Sequence, residues 1–276
     1  MKFSKMNGLG NDYIYINLMN EKVDNPGALA KKLSDRNFGV GADGIVLIDK
    51  SVAADFSMRM FNADGSEGEM CGNAVRCVGK YVYDKGLTHK KEITISTLAG
   101  IKTLQLFVKN NKVDMVRVNM GAPSLNVKDI PVLYPEGEEV ILKPIMTSKG
   151  KVEISCVSVG NPHAVIYIDD IHKADMDLGK EISENTSIFP NRVNVGFVEI
   201  KDDKNAYVRV YERGAGETLA CGTGATAAFY ISYLLGKLSS KANMRLKGGT
   251  LFMEIMDGIV FMTGNAEFNY EGEIFL

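Results

Sequence analysis

Phe61-Asn62-Ala63-Asp64-Gly65-Ser66-Glu67-Gly68-Glu69-Met70-Cys71-Gly72-Asn73 decides the reading of this chain, because a related stretch returns 150 residues later. The second copy is Tyr211-Glu212-Arg213-Gly214-Ala215-Gly216-Glu217-Thr218-Leu219-Ala220-Cys221-Gly222-Thr223. The same offset pairs Arg59 with Arg209, Tyr83 with Tyr233 and Gly86 with Gly236. It also lays Gly10-Asn11 on Gly160-Asn161 and sets Gly44 against Asn194, so whole half-chains match and not one motif alone. Two related halves are expected to fold alike about a pseudo-two-fold axis, each offering one thiol to a shared cleft.

Working outward, each Cys-Gly step opens a helical pattern. After Cys71, the stripe Ala74, Val75, Val78, Tyr81 and Val82 ends at Gly86, placed as a C-terminal cap. After Cys221, a helix from about Gly222 to Leu235 is apolar on nearly every side, which suits a helix wrapped by sheet. Tyr13 to Asn17, Gly44 to Ile48 and Phe56 to Phe61 read as strands, and Pro26 starts a helix running toward Arg36. Ile101 to Val108 and Val113 to Met120 form a hairpin through Lys109-Asn110-Asn111-Lys112.

Gly121 to about Pro144 is Pro-rich with clustered acids and reads as a crossover between the halves. The second half repeats the order: strands Ile154 to Val159 and Ala164 to Ile168, a short helix at Leu178 to Ser183, then strands Val195 to Ile200 and Ala206 to Tyr211. Thr250 to Met256 and Ile259 to Gly264 flank Asp257-Gly258, which suits a type I′ hairpin turn. The expected fold class is α/β (α+β): two pseudo-symmetric domains, each a mostly antiparallel sheet or barrel around a central helix.

With 276 residues and 45% hydrophobic content the chain is long enough for two domains with substantial cores. A net charge of −2, with Lys and Arg scattered, offers no basic stripe for nucleic acid. No run of about 18 apolar residues suggests a membrane span, and Met1 to Asn7 lacks the apolar core of a signal segment, so the expected location is the cytoplasm. Four cysteines in such a protein are expected to be free thiols.

A thiol at a helix start sits beside backbone N–H groups that the helix leaves unused, and such a terminus accepts an anion. A carboxylate held there would have negative charge stabilised as its α-proton leaves. Lowering a thiol pKa from ~8.5 to ~7 requires roughly 2 kcal/mol, within reach of a partly buried helix terminus. Two thiolates sharing one carbon at near-attack distance, ~7 Å apart, repel by roughly 2.4 kcal/mol at an effective dielectric of ~20, so the pair rests as one thiolate and one thiol. One sulfur then removes a proton while the other donates to the opposite face, which is the chemistry of a racemase or epimerase.

Competing readings account for less. Cys77 and Cys156 correspond to Ala227 and Met6 and read as core residues. No C-x-x-C pair exists, and His89, His163 and His172 lack ligand spacing, so no metal is expected. A cysteine hydrolase using Cys221 and His163 leaves the second thiol without work. The matching Gly-Asn steps make Asn11 and Asn161 candidate ligands, and His163 is either a satisfied loop histidine or a partner that tunes a thiol. Glu212-Arg213 suits recognition of an amine and a carboxylate.

The segments 61–73, 160–165 (GNPHAV), 192–197 (RVNVGF) and 211–225 closely resemble diaminopimelate epimerases, and the likeness runs along essentially the whole chain. The resemblance implies interconversion of L,L- and meso-diaminopimelate without pyridoxal phosphate or metal, on the route to lysine and peptidoglycan. It implies that Cys71 is the proton donor and Cys221 the acceptor, assisted by His163 and Glu212. Asn11, Asn62, Gly72, Asn73, Asn161, Asn194, Glu212, Arg213, Gly222 and Thr223 would bind substrate, and Tyr270 would lie in a homodimer interface. It also implies that the last strand returns to the first domain, giving domains of residues 1–121 with 265–276 and 122–264. Family members often carry Gln where this chain has Gly44. Two-cysteine proline racemases resemble CGH at the first site, where this chain has Asn73, and phenazine-type isomerases differ at both cysteines. A non-catalytic amino-acid-binding protein on the same scaffold would have no need of both thiols.

Overall fold

A computed structural model describes residues 1–134 and 139–275. The chain forms two compact units, Met1–Asn119 with Thr263–Leu276, and Met120–Met262.

The first half runs β1 (Lys2–Gly8), β2 (Asn11–Asn17), α1 (Pro26–Ser34), β3 (Gly44–Lys50), β4 (Phe56–Asn62), β5 (Glu67–Gly68), α2 (Gly72–Asp84), β6 (Glu92–Thr97), β7 (Gly100–Lys109) and β8 (Lys112–Gly121). The second runs β9 (Lys143–Thr147), β10 (Gly150–Ser158), β11 (Pro162–Tyr167), a 3-10 turn at Ile171–Lys173, α3 (Met176–Ser183), β12 (Asn194–Asp202), β13 (Asn205–Glu212), β14 (Gly216–Glu217), α4 (Gly222–Leu234), β15 (Lys241–Leu246), β16 (Gly249–Met256) and β17 (Ile259–Gly264). The last strand, β18 (Glu267–Glu273), pairs antiparallel with β1, Tyr270 opposite Lys5. In the second half β9 takes the equivalent edge beside β10.

Strand pairing repeats along with the order. β1–β2 and β10–β11 are antiparallel, whereas β2–β3 and β11–β12 are parallel. The register repeats to the residue: Tyr13 faces Gly44 as His163 faces Asn194. An ion pair repeats as well, with Arg59 Nε 2.7 Å from Glu67 Oε1 and Arg209 Nε 2.7 Å from Glu217 Oε1. Each ties a central strand to the segment leading into the cysteine.

In each half the strands pack on a thirteen-residue helix, α2 or α4, and also on a shorter one, α1 against β3 and β4 or α3 against β12 and β13. α2 buries ten of its thirteen residues, Gly72 through Val82 except Lys80, and meets β1, β2 and β7. α4 is enclosed by β10 to β13 and by β15 and β16, as its all-round apolar surface requires. Asp257 (φ 50) and Gly258 (φ 77) both have the positive φ that a type I′ turn needs, so the expected hairpin turn is present.

Two expectations are corrected. α1 stops at Ser34 rather than Arg36, because the Asp35 carboxylate accepts from the amides of Asn37 and Phe38 and turns the chain. The segment after Gly121 is more than a crossover: Val127, Ile130, Val132 and Val140 are buried in the core of the second unit with Ile154, Phe189 and Phe197. Its central part, Pro135 to Glu138, lies outside the described residues.

Candidate active site

Cys71 is the N-cap of α2, in extended backbone (φ −128°, ψ 122°), and its Sγ accepts from the amide of Ala74 at 3.5 Å. Cys221 caps α4 in the same way (φ −111°, ψ 108°), with the Gly224 amide 3.3 Å from its Sγ. In each half the sulfur takes the third helical amide. The two amides before it, those of Gly72 and Asn73 or of Gly222 and Thr223, belong to the first turn, where a helix supplies no carbonyl. The residues implied as carboxylate ligands thus lie in the first turn beside each sulfur, at a helix end suited to an anion. Neither cysteine is in a disulfide; Cys221 is 6% exposed and Cys71 half-buried.

Around Cys71 the neighbours are charged. The thiol donates to Asn11 Oδ1 at 3.3 Å, and Asn11 Nδ2 donates to Asp43 Oδ2 at 2.7 Å. Asp43 is held by Arg36 (3.0 Å), which also grips Asp12, and Asp12 pairs with buried Lys5 at 2.6 Å. Burial alone would raise the Asp12 pKa, but Arg36 and Lys5 outweigh it and leave the carboxyl below its ordinary range. From α2, fully buried Arg76 donates to Gly72 O and Asn73 Oδ1, each at 3.0 Å, and to Asn265 O at 3.2 Å. Asn73 Nδ2 lies 3.4 Å from Asn11 Oδ1.

Around Cys221 the positions equivalent to Asn11, Asp43 and Arg76 are Asn161, Val193 and Thr226, none of them charged. Thr223 Oγ1 lies 3.5 Å from Cys221 Sγ and accepts from Asn161 Nδ2 at 3.3 Å, and Asn161 Oδ1 lies 2.9 Å from His163 Nε2. Burial, with a smaller contribution from the Arg213 charge, drives the His163 pKa down to about 3, so the ring is neutral. Its Nδ1 is buried with no hydrogen-bond partner among the described residues. Asn194 donates to Pro162 O and accepts from the Arg213 amide, both at 3.0 Å. Glu212 accepts from the Thr218 hydroxyl, and the Arg213 guanidinium reaches Asn191 O.

Comparison with known proteins gives this geometry a family. The family model described as diaminopimelate epimerase matches residues 3–126 and 155–269. The chain belongs to the diaminopimelate epimerase family. Diaminopimelate epimerase of Methanococcus maripaludis is 51% identical over 276 residues, covering 99% of each chain, and that of Acetivibrio thermocellus is 50% identical over 99% of this chain and 98% of its own. A crystal structure of a probable proline racemase from Agrobacterium radiobacter K84 shares the fold (TM-score 0.72, 15% identity, 100% of this chain and 93% of that one). Membership makes the protein an amino-acid epimerase, an isomerase.

Set against this epimerase family, the residues sort by half. Asn11, Gly72 and Asn73 gather at Cys71, while Asn62 ends β4 and bonds Ser66 Oγ at 3.0 Å. Asn161, His163 and Thr223 form one hydrogen-bonded run to Cys221, with His163 three links away from the sulfur. Asn194 sits in register with His163 and joins Arg213 to that strand pair. Tyr270 is half-exposed and meets Phe3 edge-on at 6.2 Å.

At Gly44 there is no room for a side chain: a Cβ would lie 2.1 Å from Phe61 O and 2.8 Å from the Tyr13 ring. Cys77 and Cys156 are buried core residues, and burial raises the pKa of each, that of Cys77 to about 11. Sequence reasoning overlooked Asp43 and Arg76. Asp43 immediately precedes Gly44, and Arg76 is a charged residue among the buried residues of α2.

Proposed function

We propose that this protein interconverts L,L-2,6-diaminopimelate and meso-diaminopimelate by two-base proton transfer. The observation that carries the reading is the repeated cap: in both halves a cysteine sulfur closes the start of a buried helix by accepting its third amide, beside the first two amides of that turn. Those amides, of Gly72 and Asn73 and of Gly222 and Thr223, hold the carboxylate of the reacting centre. The Cys221 thiolate removes the α-proton and becomes a thiol, and the electron pair left on carbon spreads into the carboxylate, stabilised by helix-start dipoles. The Cys71 thiol then delivers its proton to the opposite face and becomes a thiolate. In reverse the roles exchange.

Asn11, Asn62, Asn161, Asn194, Glu212 and Arg213 bind the remaining amine and carboxylate groups. His163 and Glu212 support the thiol chemistry from behind. The neutral His163 ring acts through Asn161 and Thr223 rather than as a charged partner. In this reading the enzyme works in the cytoplasm as a homodimer through the Tyr270 face and serves lysine and peptidoglycan synthesis.

The test is to incubate L,L-diaminopimelate with the pure, reduced protein in D2O, with chelator and without pyridoxal phosphate. The expected outcome is α-deuterium in product that has become meso. An unlabelled substrate overturns the reading, and faster labelling of proline assigns the protein to the racemases instead.

A further inference from the structure

An asparagine amide is ambiguous by shape, since its oxygen and nitrogen are nearly the same size, and its orientation follows from what each neighbour can accept or donate. Asn11 is constrained from both ends by groups that have no choice. Asp43 is a carboxylate, which can only accept, and its Oδ2 is 2.7 Å from the Asn11 amide. The group facing Asp43 is therefore the NH2. Arg76 can only donate, and it holds Asn73 Oδ1 at 3.0 Å, so Asn73 turns its own NH2 toward Asn11. Asn11 must meet that NH2 with its carbonyl, the same carbonyl that faces Cys71 Sγ at 3.3 Å. An acceptor in front of sulfur bonds the thiol and offers nothing to the thiolate, so it favours the protonated form.

The second half has no equivalent constraint among the described residues. There Asn161 lies between a threonine hydroxyl and a histidine ring, each able to donate or accept. The positions 150 residues beyond Asp43 and Arg76 are Val193 and Thr226.

We propose that Asp43 and Arg76 are positioning residues for the proton transfer: together they lock the Asn11 carbonyl toward Cys71, so that this cysteine rests as the thiol and can serve as the proton donor. The donor role rests on the epimerase reading, whereas the locked amide stands on geometry alone. Asp43 reaches this place because the parallel register of β2 and β3 sets the residue before Gly44 beside the start of β2. Its backbone is tied there by its amide to Asp12 O at 2.8 Å and by Ala63 N to its own carbonyl at 3.0 Å. Arg36 takes the other carboxylate oxygen, which keeps Oδ2 for Asn11 and for the Asp12 amide. The other titratable and charged groups around Cys71 are Cys77 on α2, Tyr15 on β2, and Lys5, Asp12 and Arg36 behind Asn11.

The experiment reads the ionisation of Cys71 without using substrate. Full-length protein is labelled with iodoacetamide across a pH series, and the peptide containing Cys71 is quantified by mass spectrometry. Asp43→Ala removes both the charge and the acceptor, and the labelling midpoint should fall by about one pH unit, making labelling about ten-fold faster below the midpoint. Asp43→Asn removes the charge but can still offer one carbonyl to Asn11, and its midpoint should stay closer to that of the unaltered protein. Equal falls in the two variants would reduce the effect to charge and overturn the proposal, as would an unchanged or raised midpoint in Asp43→Ala.

Neutron diffraction of the unaltered enzyme from D2O gives an answer independent of any variant. Two deuterons should lie on the Asn11 atom facing Asp43; deuterons on the atom facing Cys71 would refute the orientation. Failure of the labelling shift leaves the deuterium-incorporation test of function untouched, and the reverse holds equally.

Discussion

At the start of α2 the cysteine sulfur faces an asparagine held between a carboxylate and a buried guanidinium. At the start of α4 the sulfur faces a threonine hydroxyl, and behind it stand an asparagine and a neutral histidine. Backbone geometry at the two caps is nearly the same, down to the sulfur accepting the third helical amide. Charge at the equivalent positions is what differs: Asp43 and Arg76 in one half correspond to Val193 and Thr226 in the other. The duplicated scaffold preserves what helix capping and sheet register dictate. The polar groups behind each sulfur have diverged, and a reaction needing one thiol and one thiolate has a use for that divergence.

The largest expected effect tests whether both halves are needed in spite of their differences. Cys71→Ala and Cys221→Ala should each lower epimerisation by about a thousand-fold or more, by analogy with the loss of a catalytic base or nucleophile. Cys77→Ala should stay within a few-fold of the unaltered enzyme, as judged by NMR of deuterium incorporation. Appreciable inversion by either single variant would break the comparison.

Next comes the pair Arg76 and Thr226, which occupy equivalent sites and both bond the carbonyl of the first helical glycine, Gly72 or Gly222. Arg76→Met strips donors from two backbone carbonyls and the Asn73 side chain and should cost about 3 kcal/mol or more in urea unfolding, whereas Thr226→Val removes one bond and should cost about 1 kcal/mol. Equal losses would show that the buried cation does not distinguish the halves.

The smallest effect is a pH dependence confined to the second half. The folded-state pKa of His163, about 3, lies below the unfolded value of about 6.5, so the unfolded chain binds more protons between those limits. Stability from this group is complete above about pH 6.5 and falls as the pH drops toward about 3, by roughly 1.4 kcal/mol per unit at most. Urea unfolding at about pH 5 and about pH 7 measures it, and His163→Gln should flatten the difference. A slope that survives the substitution would assign the acid sensitivity elsewhere.

Much of this protein is local chemistry and could be read directly from its residues. Cys71 and Cys221 precede glycine at helix starts, Asp257-Gly258 makes its own turn, and the constant offset announces two copies of one arrangement. Capping and turn geometry depend on a few consecutive residues, so they survive reading in one dimension.

Only the folded chain decided the rest. Asn11 and Asp43 lie 32 residues apart and meet because β2 and β3 pair in parallel, a register set by burying Ile14, Ile16, Ile45 and Leu47. Arg76 reads as a polar interruption of α2 until packing encloses it on the face where Gly72 O, Asn73 Oδ1 and Asn265 O converge. Val127, Ile130, Val132 and Val140 read as parts of a link until they are found in a core. Periodicity and motifs show which residues can do chemistry. Which charges stand behind each sulfur follows from non-local burial, since strand register is settled by apolar contacts distant in sequence.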